Sequence, residues 1–276
     1  MQLRRPTRLL DCFGEGGLGM ATQAGRKTRY SLLAERAFYL SMMAAIFLLV
    51  VWGFAPSFFL RGWMTSPATY IDRPDWMSWA FIAHGSLATG WLILFAAQTV
   101  LIGRKQLRLH KAVGQAAYPL YFANSATGAF VGFLGARYGF HGVPFDSVTF
   151  SALPWMIILA FALLGWAGLK ERRDPQRHKR LMLLATIALA DAGIARVAVF
   201  HGLLPQWLSA TALFLIPLLV WDLATLRRLH RTTVVGGLLV AAAVLGAIPL
   251  GMTAPWHALV STVIGSDGMP AGTTAQ

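Results

Sequence analysis

The sequence has few charged residues and a single cysteine. Aspartate, glutamate, lysine and arginine make up 13% of the 276 residues, about half of their usual share in a soluble domain. Hydrophobic residues make up 56%, which excludes an ordinary water-soluble globule. Because Cys12 stands alone, this chain can build neither an internal disulfide nor an iron–sulfur or zinc site from several thiolates.

Motifs of soluble enzymes are also missing. The sequence contains no H-E-x-x-H, G-x-S-x-G or P-loop motif and no closely spaced ligands typical of zinc sites. Gly14, Gly16 and Gly19 fit the spacing of a dinucleotide-binding turn, but no buried strand precedes them. Hydrolase and nucleotide chemistry therefore have no support in the sequence.

Long apolar runs dominate the chain. A helix crosses the hydrocarbon core of a bilayer with about 20 mostly apolar residues. The sequence therefore predicts an all-α membrane protein, a seven-transmembrane-helix bundle over 37–252, with a flexible basic cytoplasmic arm over 1–36 and a short outer tail over 253–276. The predicted spans are 37–54, 77–102, 112–135, 148–169, 181–200, 207–226 and 232–250.

The 24 lysines and arginines alternate between the two sides of this bundle. Twenty lie in the arm and in every second connection, and the other connections contain only Arg61, Arg73 and Arg137. Because cytoplasmic loops are enriched in cations, this pattern predicts a cytoplasmic N-terminus and an outer C-terminus. The net charge of +13 is thus an orientation signal that also favours contact with anionic lipid headgroups on the cytoplasmic side, and no nucleic-acid partner is expected.

Four polar residues within the predicted spans indicate an intramembrane site. An ionisable group at this depth costs roughly 2.5–3.5 kcal/mol, so it needs a partner or a purpose. Gln98 lies 14 residues after His84, nearly four turns, so both share one helix face. Asp191 and Arg196 are five residues apart and pair poorly on their own helix. We expect a polar site of His84, Gln98, Asp191 and Arg196, and a purely structural interhelical clamp remains the alternative.

The histidines divide into two groups by side. His110 and His178 lie at cytoplasmic helix ends, and His84 and His201 lie toward the outside. A histidine pair on each side is the arrangement that a two-haem membrane cytochrome requires, since each b-type haem takes two axial nitrogens from facing helices. These four histidines are therefore candidate haem ligands, and Arg196 is a candidate partner of a haem propionate. Headgroup-facing or hydrogen-bonded structural histidines are the alternative.

Several segments together resemble a known family. His84-Gly85, Gln98, Leu109-His110-Lys111, Gly114 and the stretch RHKRLML over 177–183 resemble an uncharacterised family of bacterial multi-pass membrane proteins, a domain of unknown function, over about 38–230. That resemblance implies the bacterial inner membrane and no defined activity. The chain is also similar to the cytochrome b561 type, in which one histidine opens a helix and another follows a basic turn, although seven predicted spans differ from the six of that type.

Three functions remain open from the sequence. The first is b-type haem binding with electron transfer across the membrane, to a redox partner that the sequence does not identify. The second is a proton-coupled transporter or channel, in which Asp191 titrates while Arg196 and His84 hold the substrate or relay protons. The third is a structural or regulatory membrane subunit without a cofactor. No metal other than a haem iron is expected.

Overall fold

The computed structural model describes residues 16–64, 75–139, 144–202 and 210–265, and these ranges are all-helical without a strand. Cys12, His141 and the last residues of the predicted tail lie outside the described residues. Short 3₁₀ or π turns extend or join several helices. The α-helices are α1 (Gly16–Phe54), α2 (Asp75–Gly103), α3 (Leu107–Val113), α4 (Ala117–Tyr138), α5 (Ser147–Lys170), α6 (Pro175–Leu189), α7 (Asp191–Phe200), α8 (Leu215–Leu226), α9 (Arg231–Leu245), α10 (Ala247–Gly251) and α11 (Ala254–Ile264).

Within the described ranges, three helical segments are long and apolar enough to cross a membrane. They extend over Leu32–Phe59, Ser78–Gly103 and Ser147–Arg173. Helices α6 and α7 meet the same criterion only when taken together, and they are bent by 51° relative to each other. The fold class is therefore confirmed as all-α with three or four membrane-length apolar segments, and the count of seven spans stays a prediction.

Helix starts follow the local sequence. The Asp146 carboxylate accepts from the Thr149 N–H at 2.9 Å and caps α5. The Asp174 carboxylate accepts from the N–H groups of the first turn of α6, where Pro175 needs no hydrogen-bond partner. The His230 imidazole accepts from the Thr232 N–H at 3.2 Å at the start of α9. Each cap follows a basic or glycine-containing connection that the sequence already separates from the apolar runs.

Helix α5 is the centre of the bundle. It packs against α4, α6, α9, α10 and α11. In its most apolar stretch of 18 residues, 56% is buried within the protein. The corresponding value for α2 is 11%, so α2 leaves most of its apolar surface for another apolar environment. The core between α5 and α6 contains the fully buried side chains of Ala160, Phe161, Leu183, Leu184, Ile187 and Ala188.

Close backbone contact explains why the predicted fifth span, 181–200, is not one straight helix. A Cβ on Gly53 of α1 would lie 2.1 Å from the Gly193 carbonyl oxygen of α7, and a Cβ on Gly193 would lie 2.9 Å from the Val50 Cα. Only glycines allow this approach. Helix α7 therefore turns away from the axis of α6 after Ala190 to pack against α1.

Both ends of the predicted transmembrane domain also differ from expectation. Helix α1 begins at Gly16, within the predicted flexible arm, and the predicted last span breaks at Gly246. Helix α11 occupies residues that the sequence assigned to the tail. Its Trp256 ring packs beside Trp155 and donates from Nε1 to the Val148 carbonyl at 3.0 Å. This hydrogen-bonded aromatic contact anchors α11 on α5.

Candidate functional site

His110 and His178 lie next to each other, shortly after the connections 104–106 and 171–174, and we call this region the basic end of the bundle. The two ring centres are 6.5 Å apart and the ring planes are nearly perpendicular, at 89°. His110 belongs to the short helix α3, and His178 belongs to the first turn of α6. The structure thus brings together two histidines that are 68 positions apart in the sequence.

A backbone carbonyl orients His178. Its Nδ1 donates to the Gly168 carbonyl oxygen at 2.8 Å. Gly168 lies in the last turn of α5, where carbonyl groups have no partner within their own helix. Because Nδ1 carries the proton, the neutral ring has its lone pair on Nε2. This is the tautomer that metal-ligating histidines adopt when their other nitrogen is held by a carbonyl.

Gln98 of α2 holds His110 in a different way. The Gln98 side-chain oxygen accepts from the Gly114 N–H at 3.0 Å, and its amide NH₂ donates to the His110 carbonyl at 3.0 Å and to the His110 Nδ1. The neutral His110 ring therefore carries its proton on Nε2. Burial lowers the pKa of His110, and a contact with the Gln98 backbone, separate from the side-chain bonds above, opposes this effect.

The pair can therefore act in two chemical ways. In the tautomers described above, His110 has an Nε2–H donor and His178 has an Nε2 acceptor. A single proton can therefore pass from the His110 Nε2 to the His178 Nε2 through a short hydrogen-bonded bridge. Alternatively, the two imidazoles would be the residues to hold one metal or haem iron, since imidazole nitrogen is a common ligand of both. His178 is already in the ligand tautomer, whereas His110 would have to exchange its proton from Nε2 to Nδ1.

His84 lies toward the opposite end of α2 and contacts α4 rather than a second histidine. Its Nδ1 is 3.1 Å from the Thr127 hydroxyl oxygen. Thr127 donates its only hydroxyl proton to the Ala123 carbonyl at 2.7 Å, so the imidazole is the donor in the first bond. The Cε1 atom of His84 lies against Gly128, where a Cβ would approach it to 3.2 Å.

The other predicted outer ligand, His201, belongs to a separate contact between α1 and α7. The Trp52 Nε1 donates to the His201 Nε2 at 3.2 Å, and the two rings are stacked with centres 6.3 Å apart. No ring contact joins His84 and His201 in the part of the chain that the structure describes. The two predicted outer ligands therefore have different partners on different helices.

The structure does not bring together Gln98 and His84 of the predicted polar site. Gln98 contacts His110 rather than His84. Asp191 is 1% exposed at the start of α7. Arg196 donates to the Ala192 carbonyl at 2.7 Å, and its guanidinium carbon lies 4.4 Å from the centre of the Phe54 ring. Arg196 therefore contacts aromatic and backbone groups of α1 and α7.

A buried ion pair that sequence reasoning missed lies close to the histidine pair. Arg180 of α6 and Asp222 of α8 are 1% and 0% exposed and 2.5 Å apart. Arg180 also donates to the Gln176 carbonyl and side-chain oxygens at 3.0 and 2.8 Å, and Asp222 accepts from the His230 N–H at 3.1 Å. The sequence contains one indication of this ion pair. Asp222 is an ionisable residue inside the predicted span 207–226 and therefore needs a cationic partner.

Two further findings concern the site: possible metal clusters within the described ranges and similarity to known proteins. Within the described ranges, no group of three or more histidine, cysteine, aspartate or glutamate residues is placed to hold a metal ion, so a metal at the basic end would have two protein ligands, as a haem iron has. No protein-family model, curated protein or solved structure matches the chain.

Proposed function

We propose that this chain is a seven-span protein of the bacterial inner membrane, with a cytoplasmic N-terminus, that holds one b-type haem between His110 and His178. The observation that carries the proposal is the distance of 6.5 Å between two nearly perpendicular imidazole rings from different helices. Haem would supply one-electron transfer. The similarity of the basic turn to the cytochrome b561 type supports the same assignment.

The apolar exterior supports the membrane part of the proposal. Large hydrophobic side chains on the outside of α1, α2 and α9 are 55–67% exposed, namely Leu48, Trp52, Ile93, Val235 and Leu238. Such a surface is costly in water and is typical of helices that face lipid. The alternation of cationic connections supports the proposed orientation, which places the basic end at the cytoplasmic face.

The residues around the pair have positioning roles in this proposal. The Gly168 carbonyl keeps the Nε2 of His178 unprotonated and directed away from α5. Gln98 contacts His110 at Nδ1 and at its carbonyl, and ligation through the His110 Nε2 would require the Gln98 amide to accept from Nδ1–H instead. The hydrogen-bond partners of the two imidazoles, Gln98 and the Gly168 carbonyl, are uncharged. Neither hydrogen bond therefore gives an imidazole partial negative charge, as a carboxylate partner would.

Absorption spectroscopy tests the proposal directly. Detergent-purified protein from haem-replete cells is expected to show a Soret band and reduced-minus-oxidised bands, which disappear in His110→Ala and in His178→Ala. His230→Asn is the matched control, because asparagine preserves the cap of α9 and this residue lies outside the pair. A wild-type protein without a Soret band and without a pyridine haemochrome, although haem was supplied, would overturn the proposal.

Proton-coupled transport is the second candidate, and Asp191 favours it. This carboxyl group is buried where α6 and α7 break from each other, and interrupted helices with buried acids are typical of transporter sites. In this case Asp191→Asn abolishes proton-coupled uptake in proteoliposomes, while Asp174→Asn, at the exposed start of α6, has little effect. A wild-type protein that lacks a chromophore and shows such flux would replace the haem proposal.

A further inference from the structure

A cavity at the basic end has the composition of a phosphate site. Its volume is about 270 Å³, and it opens between the start of α4 and the end of α5. Among the six described residues that line it, three are cations and two are aromatic. They are Tyr118, Trp166, Leu169, Lys170, Arg172 and Arg173.

The cations of the cavity retain most of their hydrogen-bonding capacity. Arg172 donates from Nη1 to the Tyr118 hydroxyl at 2.6 Å, which uses one of its five N–H donors. The Lys170 ammonium lies 4.9 Å from the centre of the Trp166 ring. No carboxylate is among the described residues that line the cavity, and the adjacent Glu171 is paired with Arg177 at 3.4 Å.

An exposed apolar strip continues from this cavity along α5. Trp166, Leu163 and Leu159 are 40%, 51% and 46% exposed, and their spacing places them on one helix face. Phe122 of α4 is 56% exposed and lies beside Trp166, with ring centres 6.1 Å apart. A ligand that fills both regions has an anionic group at one end and an apolar body at the other.

We propose that this cavity binds the phosphodiester headgroup of an anionic phospholipid, whose acyl chains lie along the strip of Leu159, Leu163 and Trp166. Lys170, Arg172 and Arg173 would neutralise the phosphate. Free phosphate would use the same cations but not the apolar strip. The lipid is therefore the occupant to which both observations point, and the proposal is independent of haem binding.

Native mass spectrometry of the detergent-purified full chain tests this proposal. The protein is titrated separately with phosphatidylglycerol, phosphatidylcholine and inorganic phosphate. We expect tighter retention of phosphatidylglycerol than of phosphatidylcholine. In the triple variant Lys170→Gln, Arg172→Gln, Arg173→Gln the affinity for phosphatidylglycerol should fall on the order of 100-fold, since each cation near an anionic headgroup contributes roughly fivefold.

A control variant separates a built site from general attraction to the membrane. Arg104→Gln, Lys105→Gln and Arg108→Gln remove the same charge from the connection 104–106 and the start of α3, and they should leave the affinity within about threefold of wild type. An equal loss in both variants would overturn the proposal. If the triple variant does not fold, Arg173→Gln alone provides the comparison, because no hydrogen bond or ion pair of its side chain is found in the described part of the chain.

Trp166→Leu distinguishes the two sources of phosphate. It should weaken phosphatidylglycerol binding and leave the binding of inorganic phosphate unchanged. Inorganic phosphate bound as tightly as phosphatidylglycerol, with no effect of Trp166→Leu on either, would identify a site for soluble phosphate and overturn the lipid assignment.

Discussion

The two ends of α2 hold histidines in opposite ways. At the basic end His110 faces a second imidazole, and each ring is fixed by a neutral partner, Gln98 or the Gly168 carbonyl. Toward the other end His84 donates to Thr127 on the neighbouring helix and faces no second imidazole within the described residues. His110, which contacts the end of α2 from helix α3, and His84, which belongs to α2 itself, therefore have two different structural roles.

This difference follows from where the two histidines lie in the helical bundle. The rings at the basic end meet because the short helix α3 and the first turn of α6 both project from connections, where side chains are less constrained by helix packing. His84 lies between α2 and α4, where Gly128 and the neighbouring Asn124 allow close approach, and Asn124 bridges to the Leu87 and Leu120 carbonyls at 3.1 and 2.9 Å. A histidine in such an interface stabilises the pair of helices.

The largest expected effect is the loss of the buried ion pair of Arg180 and Asp222 near the basic end. Asp222→Ala leaves the Arg180 guanidinium buried without its counter-ion, which should lower the free energy of unfolding by about 3–5 kcal/mol. Denaturant unfolding of the detergent-solubilised protein measures the change. Replacing both partners, Arg180→Met with Asp222→Leu, should recover most of the loss, because similar-sized apolar side chains need no counter-charge.

The part-exposed pair of Lys179 and Glu35 is the matched control for this prediction. Its atoms are 2.8 Å apart, and the side chains are 18% and 34% exposed. Glu35→Gln should lower the free energy of unfolding by no more than about 1 kcal/mol, since solvent screens such pairs. Equal losses in Asp222→Ala and Glu35→Gln would show that burial of the Arg180 pair does not determine its contribution.

A smaller effect is expected at the other end of α2. Thr127→Val removes the acceptor of the His84 Nδ1–H while keeping the shape of the side chain, and it should cost about 1–3 kcal/mol. Thr127→Ser retains the hydroxyl and should remain within about 1 kcal/mol of wild type. The haem spectrum, if haem is bound at the basic end, should be the same in both variants. A changed spectrum in Thr127→Val would show that His84 contributes to the cofactor site.

The sequence predicted α2 and α5 because the signal of a long apolar helix is local. Apolar run length and Pro or Asp caps depend on neighbouring residues, and the bounds of α2 and α5 follow from them. The break after Ala190 could not be predicted in this way, because its cause is the contact of Gly193 with Gly53 on a distant helix. The packing of α11 on α5 through Trp256 has the same kind of cause.

The candidate site likewise combines features that the local sequence predicts with features that only contacts between distant residues determine. Sorting histidines by side placed His110 and His178 at one end, and their depths allowed contact. The assumption of one helix face placed Gln98 with His84, yet the 14 residues between them span about 21 Å of helix, so Gln98 reaches His110 instead. Arg180 lies in the basic stretch before the predicted fifth span, and only the three-dimensional contact identifies Asp222 as its partner.

Gln98→Glu tests the difference between His110 and His84 through a change of charge rather than of stability. A carboxylate beside the His110 Nδ1 favours a protonated Nδ1 and should raise the pKa of His110 by about 1–2 units. Histidine NMR signals followed over a pH titration report this change. Thr127→Asp places a carboxylate beside His84 and should leave the titration of His110 unchanged. A pKa of His110 that does not respond to Gln98→Glu would contradict the assigned hydrogen bond.

The smallest expected effect is the dependence of stability on pH at the basic end. Burial lowers the pKa of both His110 and His230 in the folded protein. In the unfolded chain histidine takes up its proton near pH 6.5, so below that pH the unfolded state binds more protons than the folded state and is favoured by acid. We therefore expect the unfolding temperature to fall as the pH decreases from 7.5 to 5.5, and to fall less in His110→Gln. The hydrogen bond from the Arg177 N–H lowers the pKa of Asp174, which places the loss of its contribution below about pH 4, outside this interval. A slope that His110→Gln leaves unchanged would mean that the ring is equally protonated in both states, which would contradict the lowered pKa of His110 in the folded protein.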